Sequence, residues 1–208
     1  MAHNANKWEV YGGYTFVRSY GDLNVYGATQ SNNYDAFKPF NLNGGQVSGA
    51  YFPWAHVGIK TEYAYARKNS AVAQSTTEQE ANTEQSILIG PTFRWNLSGN
   101  RTSRVSLFAH QLFGSTHYTV HFENQGQSSC TESGKDCTAF GVTEVSGGGV
   151  DIHVSRHFSL RPAELDYWTH HVNLNTLLGT GSGGSGFLND ANFGASGLRY
   201  SAGASFNF

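Results

Sequence analysis

The stretch that decides the fold is LRYSAGASFNF, residues 198–208. In an extended strand Tyr200, Ala202, Ala204, Phe206 and Phe208 fall on one face, and Arg199, Ser201, Gly203, Ser205 and Asn207 on the other. Domain termini usually fray and are polar. This alternation instead runs to a phenylalanine at the carboxyl end, and its two faces demand two different surroundings.

The same period recurs about eight times along the chain, with almost no helical periodicity. In 7–20 Trp8, Val10, Tyr14 and Phe16 oppose Glu9, Tyr11, Gly13 and Thr15. Segments 45–52 and 57–66 flank the tight turn Pro53-Trp54-Ala55-His56, and Ile59, Thr61, Tyr63 and Tyr65 oppose Lys60, Glu62 and Ala64. In 86–95 Ile87, Ile89, Phe93 and Trp95 oppose Ser86, Thr92 and Arg94. In 104–114 Val105, Leu107, Ala109 and Phe113 are assigned outward, with Ser106, Phe108, His110 and Leu112 inward. In 144–154 Val150, Ile152 and Val154 oppose Asp151 and His153. In 158–168 Arg161 and Asp166 have opposite parity, and a bulge at Pro162 would bring Arg161, Glu164 and Asp166 to one face.

Composition agrees with many strands. Only 38% of the 208 residues are hydrophobic, yet 14% are aromatic, 25 are Gly and 4 are Pro. Charged residues make up 13% and the formal net charge is −2, so there is no basic footprint for nucleic acid. No apolar run is long enough for a membrane helix. MAHNANKWEV lacks the apolar core of a secretory signal, which fits the mature form of an exported protein better than a cytosolic one. Cys130 and Cys137 enclose a polar, turn-forming segment. They are expected to form a disulfide in an oxidising compartment, and two thiols at this spacing lack the further ligands of a metal site.

Connections alternate between short (53–56, 97–103, 155–157) and long and polar (21–43, 67–85, 118–143, 170–196). With charges and glycines inside and aromatics outside, this predicts an all-β fold. It is an eight-stranded antiparallel up-and-down transmembrane barrel with short periplasmic turns and long extracellular loops. The whole chain, 1–208, reads as one domain, with 1–6 a disordered or appended start. A soluble lipocalin-like barrel would carry its apolar face inside.

The segments VYGGYTFVR, GPTFRW, FAHQLFG, GGGVDIHVSRHFSLRPAELDY and RYSAGASFNF resemble the small OmpA/OmpX-type outer-membrane barrels of Gram-negative bacteria. The resemblance covers the strand-forming segments and leaves out the long loops. It implies a non-enzymatic structural or surface-interaction role in the outer membrane, as a monomer in contact with membrane lipid and lipopolysaccharide. It also implies that Tyr200, Phe206 and Phe208 form the signal read by the outer-membrane assembly machinery. No peptidoglycan-binding segment follows Phe208, so tethering to the cell wall by this chain is not expected.

The inward charges Lys60, Glu62, Arg94, Asp151, Arg161, Glu164 and Asp166 are expected to form a salt-bridged plug, because eight strands leave room only for side chains. A narrow pore for ions or small solutes is the alternative. His117, His121, His170 and His171 are read as rim histidines and not as metal ligands. Asp151, His153 and Ser106 or Ser146 contain the residue types of a hydrolase triad but no nucleophile elbow. A lipid-modifying enzyme would need His110, Asp151 or His153 at the membrane edge. Trp8, Trp54, Trp95 and Trp168 are assigned to aromatic girdles. GTGSGGSGF (179–187) lacks the ending of a phosphate loop and reads as a loop tip. No cofactor is expected. An unknown surface ligand would bind through the long loops.

Overall fold

In the computed structural model, which describes residues 7–20, 41–71, 79–97, 104–122, 137–173 and 192–208, the alternating segments all become strands. They are β1 (Trp8–Ser19), β2 (Asn41–Tyr51), β3 (Val57–Ala71), β4 (Gln79–Asn96), β5 (Val105–Phe122), β6 (Cys137–His153), β7 (Phe158–Asn173) and β8 (Asn192–Asn207). Each pairs antiparallel with its sequence neighbours, and β8 closes on β1, giving a single barrel. The terminal Phe208 is the last rung of that seam. Its N–H donates to the Trp8 carbonyl at 3.0 Å, and the Trp8 N–H donates to its carbonyl at 2.9 Å.

The register fixes the barrel's width. Paired residues traced once round from Val10 run through Gly49, Thr61, Ile89, Phe113, Glu144, Thr169 and Ser196. The path returns to β1 at Tyr20, whose N–H donates to Ser196, so the stagger from Val10 to Tyr20 is ten residues. Eight strands at this shear enclose an interior that side chains can fill.

Burial follows the pleat. Outward side chains include Val10, Val47, Ile59, Ile87, Ile89, Leu107 and Leu165, all exposed. Trp8, Tyr51, Phe93, Trp95, Phe158 and Phe206 cluster at the ends of their strands nearest the short turns, here the lower end. Tyr14, Tyr63, Tyr65, Tyr167 and Tyr200 lie further up the same faces.

The structure departs from the sequence reading in two respects. The strands extend well into the segments assigned to long loops: β3 and β4 stay paired as far as Ala71 and Gln79, inside 67–85. Hydrogen-bonded ladders need no apolar face, so polar, alternation-poor ends such as NSA and QEANTEQ give no signal for continuing the strand. Trp168 is not a girdle residue; it points inward and is buried. The bulge explains why. Pairing with β8 shifts register between Arg161 and Glu164, and pairing with β6 shifts between Val150 and Ile152, so everything beyond Pro162 on β7 changes parity. That shift places Arg161, Glu164, Asp166 and Trp168 on one inward face. The Tyr200 hydroxyl donates to the Pro162 carbonyl at 2.7 Å, satisfying a group the bulge takes out of the ladder.

The expected disulfide lies outside the described residues at Cys130, as do His121's side chain and the 179–187 segment.

Candidate functional site: the barrel lumen

From the lower end upward, the lumen is layered. At the lower mouth Ser106 Oγ lies 3.1 Å from His153 Nε2, and His153 Nδ1 lies 2.7 Å from Ser159 Oγ. Asn207 Nδ2 donates to the same Ser159 oxygen at 3.2 Å. The histidine is therefore oriented by a serine. Asp151, the carboxylate a triad would need, is engaged by Arg161. Ser146 is on the outer face, bonded to Gln111. His110 and Asp151 are buried inside the barrel and do not face a membrane edge.

Above this lies a lattice of buried charges centred on Arg161. Its Nε donates to Asp151 Oδ1 at 2.7 Å, and one terminal nitrogen donates to Asp151 Oδ2 (3.0 Å) and to Glu9 Oε1 (2.7 Å). The other donates to Glu164 Oε2 at 3.1 Å. The guanidinium carbon lies 3.9 Å from the Phe108 ring centroid and 4.4 Å from that of Tyr11, an arrangement in which cation–π attraction offsets part of the desolvation cost. Lys60 Nζ bridges Glu62 (2.8 Å) and Glu164 (2.7 Å). Arg199 bridges Glu62 (2.5 Å) and Asp166 (2.7 Å). Arg94 sits at the margin, 3.8 Å from Glu9 and stacked at 4.1 Å on Phe52.

Glycines make the lattice fit. A Cβ at Gly147 would lie 1.8 Å from Asp166 Oδ1, and one at Gly149 would lie 2.8 Å from the Phe108 ring. The Gly147-Gly148-Gly149 run thus leaves room for a carboxylate and an aromatic in an interior with no spare width.

All seven charged residues picked from the sequence point inward, and the lattice joins them. Sequence reasoning left out Glu9, Arg199 and His110, although it placed all three on the inward face; the signal was there and only their role was missed. His110 lies among the acids of β7, with Nε2 3.0 Å from Asp166 Oδ1 and Nδ1 3.9 Å from Glu164 Oε1.

Next comes an apolar layer: Val17, Leu42, Ala66, Leu88, Leu112, Val145 and Trp168, one from each of β1 to β7, packed into one buried cluster. The eighth strand contributes Gly197, where a Cβ would lie 2.7 Å from the Trp168 indole. The tryptophan therefore reaches across the place where β8 has no side chain. Above it is a second polar group, in which Thr116, Thr143, His170 and Glu84 form a chain with contacts of 2.6, 2.5 and 3.1 Å. Among the described rim histidines, His170 points in, while His171 is exposed and His117 stacks on Phe140 at 4.4 Å. They do not converge.

No protein-family model matches this sequence, and neither does any curated protein. Solved structures do. The attachment invasion locus protein Ail of Yersinia pestis superposes with a TM-score of 0.57 at 16% identity, covering 98% of this chain and all of that one. Neisserial surface protein A gives a TM-score of 0.58 at 11% identity, covering 97% of each chain. The chain has the fold of a small outer-membrane β-barrel protein. At these identities the likeness shows the fold alone, and what the lumen and surface do has to be argued from their own chemistry.

Proposed function

We propose that this chain is a non-enzymatic outer-membrane barrel whose lumen is closed to solutes and which acts at the cell surface, through its upper connections, as a structural or interaction protein. The apolar layer at Leu88, Leu112, Val145 and Trp168 carries the reading of a closed lumen. A water or ion path through the barrel would have to cross a packed ring to which seven strands each give one apolar side chain. The charge lattice below reinforces it, because every base there is committed to at least one acid.

Membrane residence is supported by the outer face. Apolar side chains from all eight strands, among them Trp8, Val47, Ile59, Ile87, Phe113, Val142, Leu165 and Phe206, are exposed together, far more than a water-soluble monomer presents. A Trp/Phe set at the lower end and a tyrosine set higher up, with aliphatics between, is the pattern of interfacial girdles around a hydrocarbon band. Lipid and lipopolysaccharide are then the surrounding partners of a monomer, and Tyr200, Phe206 and Phe208 the segment presented to the assembly machinery. The short turns face the periplasm.

The test is planar-bilayer conductance of the refolded protein, alongside Leu88→Ser/Leu112→Ser. The wild type is expected to give no channel steps, and the double variant, with hydroxyls in the apolar ring, to conduct only if the ring and not the charge lattice below it is the narrower barrier. Regular steps from the wild type would replace this reading with the narrow pore.

A further inference from the structure

Below the apolar layer, the described lumen residues hold five carboxylates, Glu9, Glu62, Asp151, Glu164 and Asp166, against four strong bases, Lys60, Arg94, Arg161 and Arg199. The lattice is short of one positive charge. A single imidazole faces two of these acids. His110, Glu164 and Asp166 are all buried, and one ligand atom from each lies within 4.8 Å of the others. His110 Nε2 is in ion-pair contact with Asp166 Oδ1 at 3.0 Å, whereas Nδ1 has no hydrogen-bond partner and lies 3.9 Å from Glu164 Oε1. The His110 side chain is completely shielded from solvent. A buried imidazole nitrogen turned toward a carboxylate with no bond of its own is a place where a further partner would be satisfied.

We propose that His110, Glu164 and Asp166 form a metal-ion site of the lumen, taking one divalent cation of the zinc class. One imidazole nitrogen with two carboxylate oxygens is a borderline donor set suited to such ions. The outer contacts are in place. Arg199 holds Asp166 by Oδ2, leaving Oδ1 turned to the histidine; Arg161 holds Glu164 by Oε2, and Lys60 donates to Oε1, the oxygen that faces the histidine. Such contacts fix ligating carboxylates in known metal sites. Glu164 and Asp166 share a face of β7 as i and i+2, and the bulge at Pro162 is what turns that face into the lumen, as His110 on β5 is turned. The site stands apart from the question of conductance, since a closed or an open lumen presents the same three side chains.

The test uses the full chain refolded in detergent with Zn²⁺ as the only added metal. The protein is then passed through a chelating resin and assayed for metal content and for its unfolding midpoint. His110→Gln keeps a polar side chain of similar reach; His170→Gln, at the other buried histidine, is the control. A faster unboiled gel band verifies that each variant has folded. The wild type and His170→Gln are expected to retain one equivalent of zinc and His110→Gln none. In a second unfolding series with zinc added back to a free concentration a hundredfold above Kd, the folded-to-unfolded ratio should rise about a hundredfold over that of metal-free protein in the first two only. No zinc retained by folded wild type overturns the proposal. So does equal retention by folded His110→Gln, which would place the metal on surface histidines.

Discussion

Replacing Arg161 by methionine removes the base at the centre of the lattice while keeping an unbranched, space-filling side chain. Three carboxylates lose a direct hydrogen bond: Asp151 both of its short contacts, Glu9 its 2.7 Å contact and Glu164 its 3.1 Å contact. Glu164 keeps Lys60 at 2.7 Å, and Glu9 keeps the longer approach to Arg94 at 3.8 Å. Asp151 has the most to lose. Removing one partner of a buried pair costs roughly 3–5 kcal/mol, because the other charge stays buried. The expected loss for Arg161→Met is therefore about 4 kcal/mol, within that range. Asp151→Asn in the same background removes the orphaned charge, so the double variant should be less destabilised than the sum of the two single changes, with a coupling of about 1–3 kcal/mol. The assay is reversible urea unfolding in micelles or vesicles, followed by tryptophan fluorescence, with the slope compared between variants to verify that the same surface is exposed. A loss under about 1 kcal/mol for Arg161→Met, or strict additivity with Asp151→Asn, would refute the reasoning. It would mean that the lattice is wet and screened, and does not hold the barrel shut.

Other consequences are nearer the backbone. Gly147→Val drives a Cβ to 1.8 Å from Asp166 Oδ1 and 2.7 Å from the Leu165 carbonyl, so Asp166 must shift and strain its contacts with His110 and Arg199; a loss of about 1–3 kcal/mol in the same urea assay is expected. Tyr200→Phe leaves the Pro162 carbonyl without its hydroxyl partner at the bulge and should cost about 1–3 kcal/mol, with hydrogen exchange accelerated around Ala163. Deleting Phe208 removes the rung it makes with Trp8. Refolding in detergent should survive, and accumulation in the outer membrane of an expressing cell should fall, as read by membrane fractionation and gel mobility.

How far the sequence discloses this molecule depends on which force shaped each part. The strand faces were legible because side-chain alternation has a period of two: Ile59, Tyr63 and Tyr65 against Lys60 and Glu62 can be read in only one way. The closing of β8 on β1 was legible because an unpaired apolar edge could not be left in a membrane. Pro162 disclosed the bulge and so the common face of Arg161, Glu164 and Asp166. The same parity change also turned Trp168 inward, a consequence that a girdle assignment based on nearness to a strand end overlooks. The apolar layer was hidden for another reason. Leu88 and Val145 are single inward apolar residues on strands whose outward faces also carry apolar residues, and only the ten-residue stagger brings them to one level with Leu42 and the rest. His110 was placed on the correct face, but its meeting with Glu164 and Asp166 spans β5 and β7, which are not neighbours in the sheet. The upper parts of the strands were missed because a backbone ladder leaves no mark in a polar sequence.

The central claim is that the exposed aromatic and aliphatic face meets lipid while the lumen meets only itself. Tryptophan quenching by lipids brominated along their acyl chains tests it directly, using variants that each keep one of Trp8, Trp95 and Trp168 and carry phenylalanine at the other three tryptophan positions. Trp8 and Trp95 are exposed on the outer face and Trp168 is buried in the apolar layer. Strong quenching of Trp8 and Trp95, with Trp168 unaffected, is the predicted result. Equal quenching of all three, or none at Trp8 and Trp95 in protein that stays dissolved without detergent, would contradict it.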